Sequence, residues 1–176
     1  MLNRIGVETV DPPFFMDGPC PARRRCRYSD SAFARRDQGV AVLLGRIARP
    51  ALNAVAWDGV SLFRIIGEVR MMVEGEIVTK VGRTTGRTQG AITAVGVNIN
   101  SGRITFLDQT MAAYASAPGD SGAPVFKIVD LPERHDVKLY GIHWGTGASF
   151  SPIGVNNVQR GSELGPLIKC APPFPC

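Results

Sequence analysis

Residues 118–126 read Pro-Gly-Asp-Ser-Gly-Ala-Pro-Val-Phe, which places a serine between two glycines at the start of an apolar run. A serine hydroxyl is a weak nucleophile at neutral pH, so an enzyme that uses one must expose it and place donors where an oxyanion develops. Gly119 and Gly122 suit that task, because glycine reaches backbone conformations closed to other residues. The N–H groups of Gly119 and Ser121 can then point at one spot. The simpler interpretation is a tight turn before a strand.

Two further segments accompany this one. Residues 78–93 read VTKVGRTTGRTQGAIT, and residues 139–145 read LYGIHWG, followed by FSPI at residues 150–153. In this order the segments resemble the second half of chymotrypsin-like serine proteases, especially the bacterial secreted branch that includes the streptogrisins and alpha-lytic protease. The resemblance runs from about Arg27 to Gly165. It implies an all-β, chymotrypsin-like double β-barrel, with an incomplete first barrel, a nearly complete second barrel and a short C-terminal helix.

The same resemblance implies roles for individual residues. Ser121 takes the position of the nucleophile, and the N–H groups of Gly119 and Ser121 take the oxyanion hole. Asp30 resembles the triad aspartate that precedes a short buried strand, although an aspartate before a small apolar run is also an ordinary turn residue. Its place before Ser121 follows the chain order of the family. The implied activity is serine-type endopeptidase, with a polypeptide as the substrate.

The substrate pocket is assigned by the same resemblance. The strand that contains His143, Trp144 and Gly145 resembles the one that pairs with a bound peptide and forms a pocket wall. Ala115 lies at the position of the pocket floor, six residues before the nucleophile, and Ser116 contributes another wall. Because no carboxylate occupies the floor, we expect an apolar side chain before the cleaved bond.

The histidine of the triad is missing from its expected place. In this family the base precedes the aspartate and the serine, yet the two histidines, His135 and His143, both follow Ser121. We therefore expect an N-terminally shortened member of the family, inactive as this chain. His143 as the base, with Asp136 between it and the serine, would follow the order of α/β-hydrolases. The strand-like run after Ser121 disfavours that alternative, since their nucleophile turn leads into a helix.

Composition fits a β-rich chain. Of its 176 residues, 44% are hydrophobic and 20% charged, and 20 Gly and 13 Pro favour short strands joined by turns. The sequence lacks a run of 18 apolar residues, which argues against a membrane span and a membrane partner. Residues 1–19 lack the apolar core of a signal peptide. This leaves the localisation open, whereas the resemblance implies secretion.

Alternating apolar residues and turn signals predict eight strands. They lie near residues 40–48, 60–66, 76–81, 91–99, 103–107, 124–129, 137–143 and 149–153. A short helix is predicted over residues 155–164. We divide the chain into residues 1–68, a partial first barrel and linker, and residues 69–176, the barrel that carries the nucleophile. A barrel without most of its partner would expose an apolar seam, which predicts poor solubility or self-association.

Four cysteines form two close pairs, Cys20 with Cys26 and Cys170 with Cys176. Each pair suits a disulfide in an oxidising compartment. Zinc is the alternative, but no histidine lies near either pair and the pairs are far apart in sequence. We therefore predict no metal and no cofactor.

The net charge of +5 comes largely from one short basic region. Its arginines are Arg23, Arg24, Arg25, Arg27, Arg35 and Arg36. Such a cluster is the electrostatic footprint of nucleic-acid binding, but interleaved aromatics and a recognised binding module are missing, so we predict no nucleic-acid partner. Three functions stay open: a serine endopeptidase, a remnant that only binds peptides along residues 140–145, and a basic binding module.

Overall fold

The computed structural model describes residues 6–11, 13–129, 135–145 and 147–153, and this part of the chain contains eleven β-strands. In chain order they are β1 (Gly6–Val10), β2 (Arg25–Arg27), β3 (Phe33–Arg36), β4 (Arg46–Ala48), β5 (Leu62–Glu68), β6 (Ile77–Gly82), β7 (Gly86–Ser101), β8 (Ile104–Ala112), β9 (Pro124–Ile128), β10 (Asp136–Gly145) and β11 (Ser149–Pro152). Among the described residues, no helix is long and apolar enough to cross a membrane.

Six of these strands, β6 to β11, close into a barrel. Around the ring the order is β6, β7, β8, β11, β10 and β9, with β9 pairing back to β6, and every pairing is antiparallel. Apolar side chains that alternate along the strands fill the interior. The barrel core includes Val78, Ile92, Val125, Tyr140 and Phe150. Because the barrel is closed, the loops that connect these strands begin and end at fixed positions.

The N-terminal strands extend the sheet of the barrel. β5 pairs parallel with β10 and antiparallel with β4, β2 pairs parallel with β8, and β1 and β3 form a separate two-stranded sheet. A second core joins β5 to the barrel, where Phe63 packs on Phe126 with ring centroids 4.9 Å apart, beside Ile47 and Val137. In the described residues these strands do not form a second closed ring. The predicted all-β fold, with an incomplete first barrel and a nearly complete second one, is confirmed there, and the second barrel closes fully.

The predicted strands of the barrel agree with the observed ones to within a few residues, except that β7 and β8 are longer than expected. The strand predicted over residues 40–48 is wrong for most of its length, because only Arg46–Ala48 pairs, after Gly45 turns the chain at a φ of +68°. β1, β2 and β3 were not predicted. The helix predicted over residues 155–164 lies outside the described residues, and the boundary at residue 68 stays a prediction.

The first cysteine pair is a disulfide. Cys20 and Cys26 are bonded, with their Cα atoms 5.6 Å apart. Cys26 is fully buried on β2, and its backbone pairs with that of Phe15. The bond therefore fixes the loop that precedes Asp30. The second predicted pair, Cys170 with Cys176, lies outside the described residues.

Large apolar side chains are exposed in the segments that flank β4. Leu43 and Leu44 are 68% and 79% exposed, and Val42, Trp57 and Val60 are exposed as well. β4 pairs with β5 alone among the described strands. Exposed apolar residues beside an open strand edge favour association with another polypeptide.

We expect the chain to self-associate through this surface. The double substitution Leu43→Lys and Leu44→Lys should shift a size-exclusion profile toward the monomer, since it places charge on the two most exposed leucines. Met16→Lys is the control, because Met16 is 67% exposed but lies outside residues 42–60. A monomeric profile of the unmodified chain at high concentration would contradict the expectation.

Candidate active site

Ser121 lies exposed in a tight turn before β9. Asp120 donates its N–H to the carbonyl of Ala117 at 3.1 Å, and Ala123 donates to the carbonyl of Asp120 at 2.9 Å. Gly119 and Gly122 have φ angles of +102° and +87°, conformations that strain other residues. A side chain at Gly119 would also collide with the hydroxyl of Thr84. The glycines predicted from the sequence are therefore required by the geometry of this turn.

The buried carboxylate of Asp120 fixes the turn through hydrogen bonds to neighbouring segments. It is fully buried and accepts hydrogen bonds from the N–H groups of Thr84 (2.7 Å), Thr85 (3.2 Å) and Ala117 (3.1 Å), and from the Thr85 hydroxyl (2.7 Å). Burial by itself would raise the pKa of Asp120, but the hydrogen bonds from Thr85, Thr84 and Ala117 hold it well below its ordinary value. Asp120 is thus ionised at neutral pH.

Lys80 supplies the opposite charge. This β6 residue is fully buried, and its Nζ lies 3.1 Å from Oδ2 of Asp120 and 2.7 Å from Oγ1 of Thr85. The sequence reasoning missed both members of this ion pair. A lysine inside the apolar strand Ile77–Gly82 was the available signal, because a buried lysine requires a partner.

The C-terminal side of the turn is bonded to β10. Gly122 donates its N–H to the carbonyl of His143 at 2.8 Å, and His143 donates to the carbonyl of Ala123 at 2.9 Å. The Ser121 hydroxyl lies 3.3 Å from the carbonyl oxygen of Trp144. Ser121 is therefore held beside the strand predicted to bind the peptide.

The N–H groups predicted to form the oxyanion hole lie in this turn. Neither Gly119 nor Ser121 donates to a backbone carbonyl of the described residues. Both residues are exposed. This arrangement is compatible with an oxyanion hole, and the role of the two groups stays a prediction.

His143 lies on β10 beside the turn, and in the described residues its ring has no hydrogen bond to Ser121. Its side chain is buried, with 3% of the residue exposed, and Nδ1 lies 3.1 Å from the Tyr114 hydroxyl. The ring also hydrogen-bonds to the backbone of Ser149, and burial, aided by the nearby charge of Lys80, lowers the pKa of His143. A substrate could reach this ring only by displacing one of these partners, so its predicted pocket role would require a rearrangement.

The strand predicted to bind a peptide is mostly occupied. Gly141 and Ile142 pair with β9 on one side and with β11 on the other. The backbone of His143 is engaged with Gly122 and Ala123, as described above. Because β10 lies within a closed barrel and Gly145 pairs with Ser149 of β11, the described part of β10 leaves for a peptide only the edge of Trp144 and Gly145 that faces away from β11.

Asp30 is linked to the same end of β10 through polar side chains. Its N–H donates to Oγ of Ser151 at 3.1 Å, and Ser151 bonds Oε1 of Gln109 at 2.9 Å. The indole N–H of Trp144 donates to that same oxygen at 2.7 Å. The carboxylate of Asp30 pairs with Arg27. Its predicted triad role is not tested by this arrangement.

The predicted pocket floor adjoins the ion pair. The carbonyl of Ala115 accepts hydrogen bonds from the hydroxyls of Thr88 at 2.8 Å and Thr85 at 3.3 Å. Ser116 follows it, half-buried, and Trp144 packs its ring against Phe106 at a centroid distance of 4.1 Å. The pocket assignment stays a prediction.

No protein-family model and no curated protein matches this sequence. Solved structures do match. A chymotrypsin from Cellulomonas bogoriensis has a TM-score of 0.56 and 23% identity over 90% of this chain and 79% of that one. A Nocardiopsis protease has a TM-score of 0.56 and 17% identity over 88% and 86%. A glutamic-acid-specific serine protease, which uses a histidine triad in substrate binding, has a TM-score of 0.57 and 23% identity over 77% and 67%. The chain therefore has the chymotrypsin-like fold of bacterial serine proteases.

The two glycines of the turn offer a matched pair of substitutions. Gly122→Ala should lower the free energy of unfolding by about 1–2 kcal/mol, the usual cost of a left-handed residue with a side chain. Gly119→Ala should lower it further, because Thr84 must also move. Adding Thr84→Ala to Gly119→Ala should restore part of the difference. Urea denaturation measures each value, and equal losses at both glycines would contradict the steric argument.

Because Lys80 and Asp120 form a buried ion pair, replacing one of them should lower the free energy of unfolding more than replacing both. Asp120→Asn leaves Lys80 buried without its counter-charge and should lower the free energy of unfolding by about 3–5 kcal/mol. Adding Lys80→Met should recover part of that loss. Glu68→Gln is the control, since it removes a surface pair with Arg70 worth about 0–1 kcal/mol. A double variant that is less stable than Asp120→Asn would refute the argument.

Proposed function

We propose that the chain carries the nucleophile of a serine endopeptidase, which cleaves polypeptides through an acyl-enzyme formed on Ser121. The observation that supports this most is the turn of residues 119–122. It exposes the Ser121 hydroxyl beside two N–H groups and is fixed from below by a buried carboxylate. An oxyanion hole must be pre-organised in this way, because donors that reorient during the reaction stabilise the transition state less. The fold of the neighbouring proteases agrees with this proposal.

In the described residues, Ser121 has no histidine in contact with it that could act as the general base. The chain has two histidines; His135 precedes β10 on the surface, and the ring of His143 is engaged with Tyr114 and Ser149. Without a base the serine hydroxyl keeps its ordinary acidity. We propose that the complete enzyme obtains its histidine from polypeptide outside these 176 residues, so that this chain alone is inactive.

Other functions receive less support. Four of the six arginines of the basic region have contacts within the protein. Arg24 bonds the carbonyls of Gly102 and Ile104. Arg25 and Arg27 lie over the ring of Phe14, and Arg36 bonds the carbonyl of Val40. These contacts give most of the cluster a structural role that does not require nucleic acid. A remnant that only binds peptides would have to use the short free end of β10, and no observation favours it over the endopeptidase.

Residues 1–176 should show no hydrolysis of a peptide amide above that of the Ser121→Ala variant. An oxyanion hole without its triad keeps only roughly 10³- to 10⁴-fold acceleration over water, which is far below detection with protein substrates. A fluorophosphonate probe should likewise leave Ser121 unlabelled. Cleavage that is abolished by Ser121→Ala would overturn the inactive state and make His143 the leading base.

A chain extended before Met1 tests the other half of the proposal. If the upstream reading frame encodes a histidine segment, the extended protein should cleave peptides and react with the fluorophosphonate at Ser121. Replacing that histidine by alanine should abolish both reactions. An extended chain that folds with the histidine present and still fails in both assays would refute the endopeptidase.

Specificity of the extended enzyme follows from the predicted pocket. With alanine at the floor, an arginine or lysine of the substrate would be buried without a partner charge, which is costly. Each buried methylene of an apolar side chain contributes about 0.8 kcal/mol instead. A peptide library should therefore be cleaved after aliphatic or aromatic residues. Dominant cleavage after arginine, lysine or glutamate would show that the pocket is misassigned.

A further inference from the structure

The nucleophile turn is held at both ends by one buried cluster, which we call the polar cluster and define as Lys80, Tyr114, Asp120 and His143. On the N-terminal side, Asp120 pairs with Lys80. On the C-terminal side, the backbone of His143 bonds Gly122 and Ala123 at 2.8 and 2.9 Å. All four members of the cluster are nine-tenths or more buried.

Tyr114 connects the two halves of the polar cluster. Its hydroxyl lies 3.1 Å from Nδ1 of His143, and the two rings meet edge to face with centroids 5.6 Å apart. Nζ of Lys80 lies 6.0 Å from the centre of the Tyr114 ring. Tyr114 therefore lies between the imidazole of His143 and the ion pair that bonds the other side of the turn.

We propose that His143 is a positioning residue for Ser121, and that its neutral ring keeps the turn of residues 119–122 in place while proton uptake releases it. This inference rests on the proposed role of Ser121 as the nucleophile. His143 would act through its backbone contacts with Gly122 and Ala123 and would not touch the substrate.

The hydrogen bonds of the ring fit the neutral form. A neutral imidazole has one donor and one acceptor, and here one nitrogen can donate to the backbone of Ser149 while the other accepts from Tyr114. Protonation adds a second donor and a positive charge within the polar cluster. Lys80 opposes that charge. Asp120, the one carboxylate near the ring in the described part of the chain, is already bonded to Lys80, Thr84, Thr85 and Ala117.

The pH range in which the turn should be released follows from the directions in which the pKa values of His143 and Asp120 are shifted. The pKa of His143 is lowered by burial, so the unfolded chain takes up this proton first. The contribution of His143 is complete above its unfolded pKa of about 6.5 and is lost as the pH falls below that value. The pKa of Asp120 is also lowered, but its contribution is lost only below about pH 4. His143 and Asp120 therefore affect stability in separate pH ranges.

Nitrogen-15 NMR of residues 1–176 tests the proposal between pH 7.5 and 5.0, in the Leu43→Lys, Leu44→Lys background that reduces association. The amide signals of Gly119, Ser121 and Gly122 should move together with the ring signals of His143. The Tm should fall by roughly 2–5 °C for each pH unit over which the unfolded chain has bound this proton and the folded chain has not, that is, between pH 6.5 and the lowered pKa of His143. The amide of Gly102, in a distant turn, serves as the internal reference.

His143→Asn is the decisive variant, since its Oδ1 can accept from Tyr114 but cannot be protonated in this range. It should keep the turn amides at their pH 7.5 positions and flatten the Tm profile. His135→Gln should behave as the parent. The proposal is overturned if His143 titrates in the parent chain while the three turn amides stay still, a result that does not depend on whether the asparagine variant folds. None of these signals requires peptide cleavage, so a failed endopeptidase assay is a separate outcome.

Discussion

The buried ion pair between Lys80 and Asp120 is the interaction on which the candidate site depends. Taking two charges out of water is costly, and the attraction between them offsets that cost only when their remaining hydrogen bonds are made. Asp120 meets this condition through Thr84, Thr85 and Ala117. The nucleophile turn belongs to no strand, so this buried anchor replaces the backbone ladder that fixes residues within a sheet.

The barrel brings the other parts of the site to the same place. β10 contacts β5, β9 and β11, and its last residues lie where Ser121 and the side chains linked to Asp30 meet. Gln109 joins these parts, because its Oε1 accepts from both Ser151 and Trp144. In a serine protease triad the aspartate orients an imidazole. Here the carboxylate of Asp30 pairs with Arg27.

Sequence reasoning found the exposed part of the site and missed its buried support. Gly119, Ser121 and Gly122 form a contiguous pattern whose local chemistry is visible without a structure. Lys80 and Asp120 are 40 positions apart, and only the pairing of β6 with β9 brings them together. The resemblance assigns His143 to the pocket wall, and the structure shows its ring buried against Tyr114.

The sequence by itself determined the β-rich class, the strands of the barrel and the position of the nucleophile turn, because these depend on alternation, turn residues and glycine conformations that are local in the chain. It did not determine the short strands β1 to β3 or the limited length of β4, since their pairing partners are distant and their own pattern is weak. Only the tertiary structure decided that Asp120 is neutralised by Lys80 and that His143 faces Tyr114. Both contacts depend on strand register, because a shift of one residue would turn Lys80 on β6 or His143 on β10 to the opposite face of its sheet.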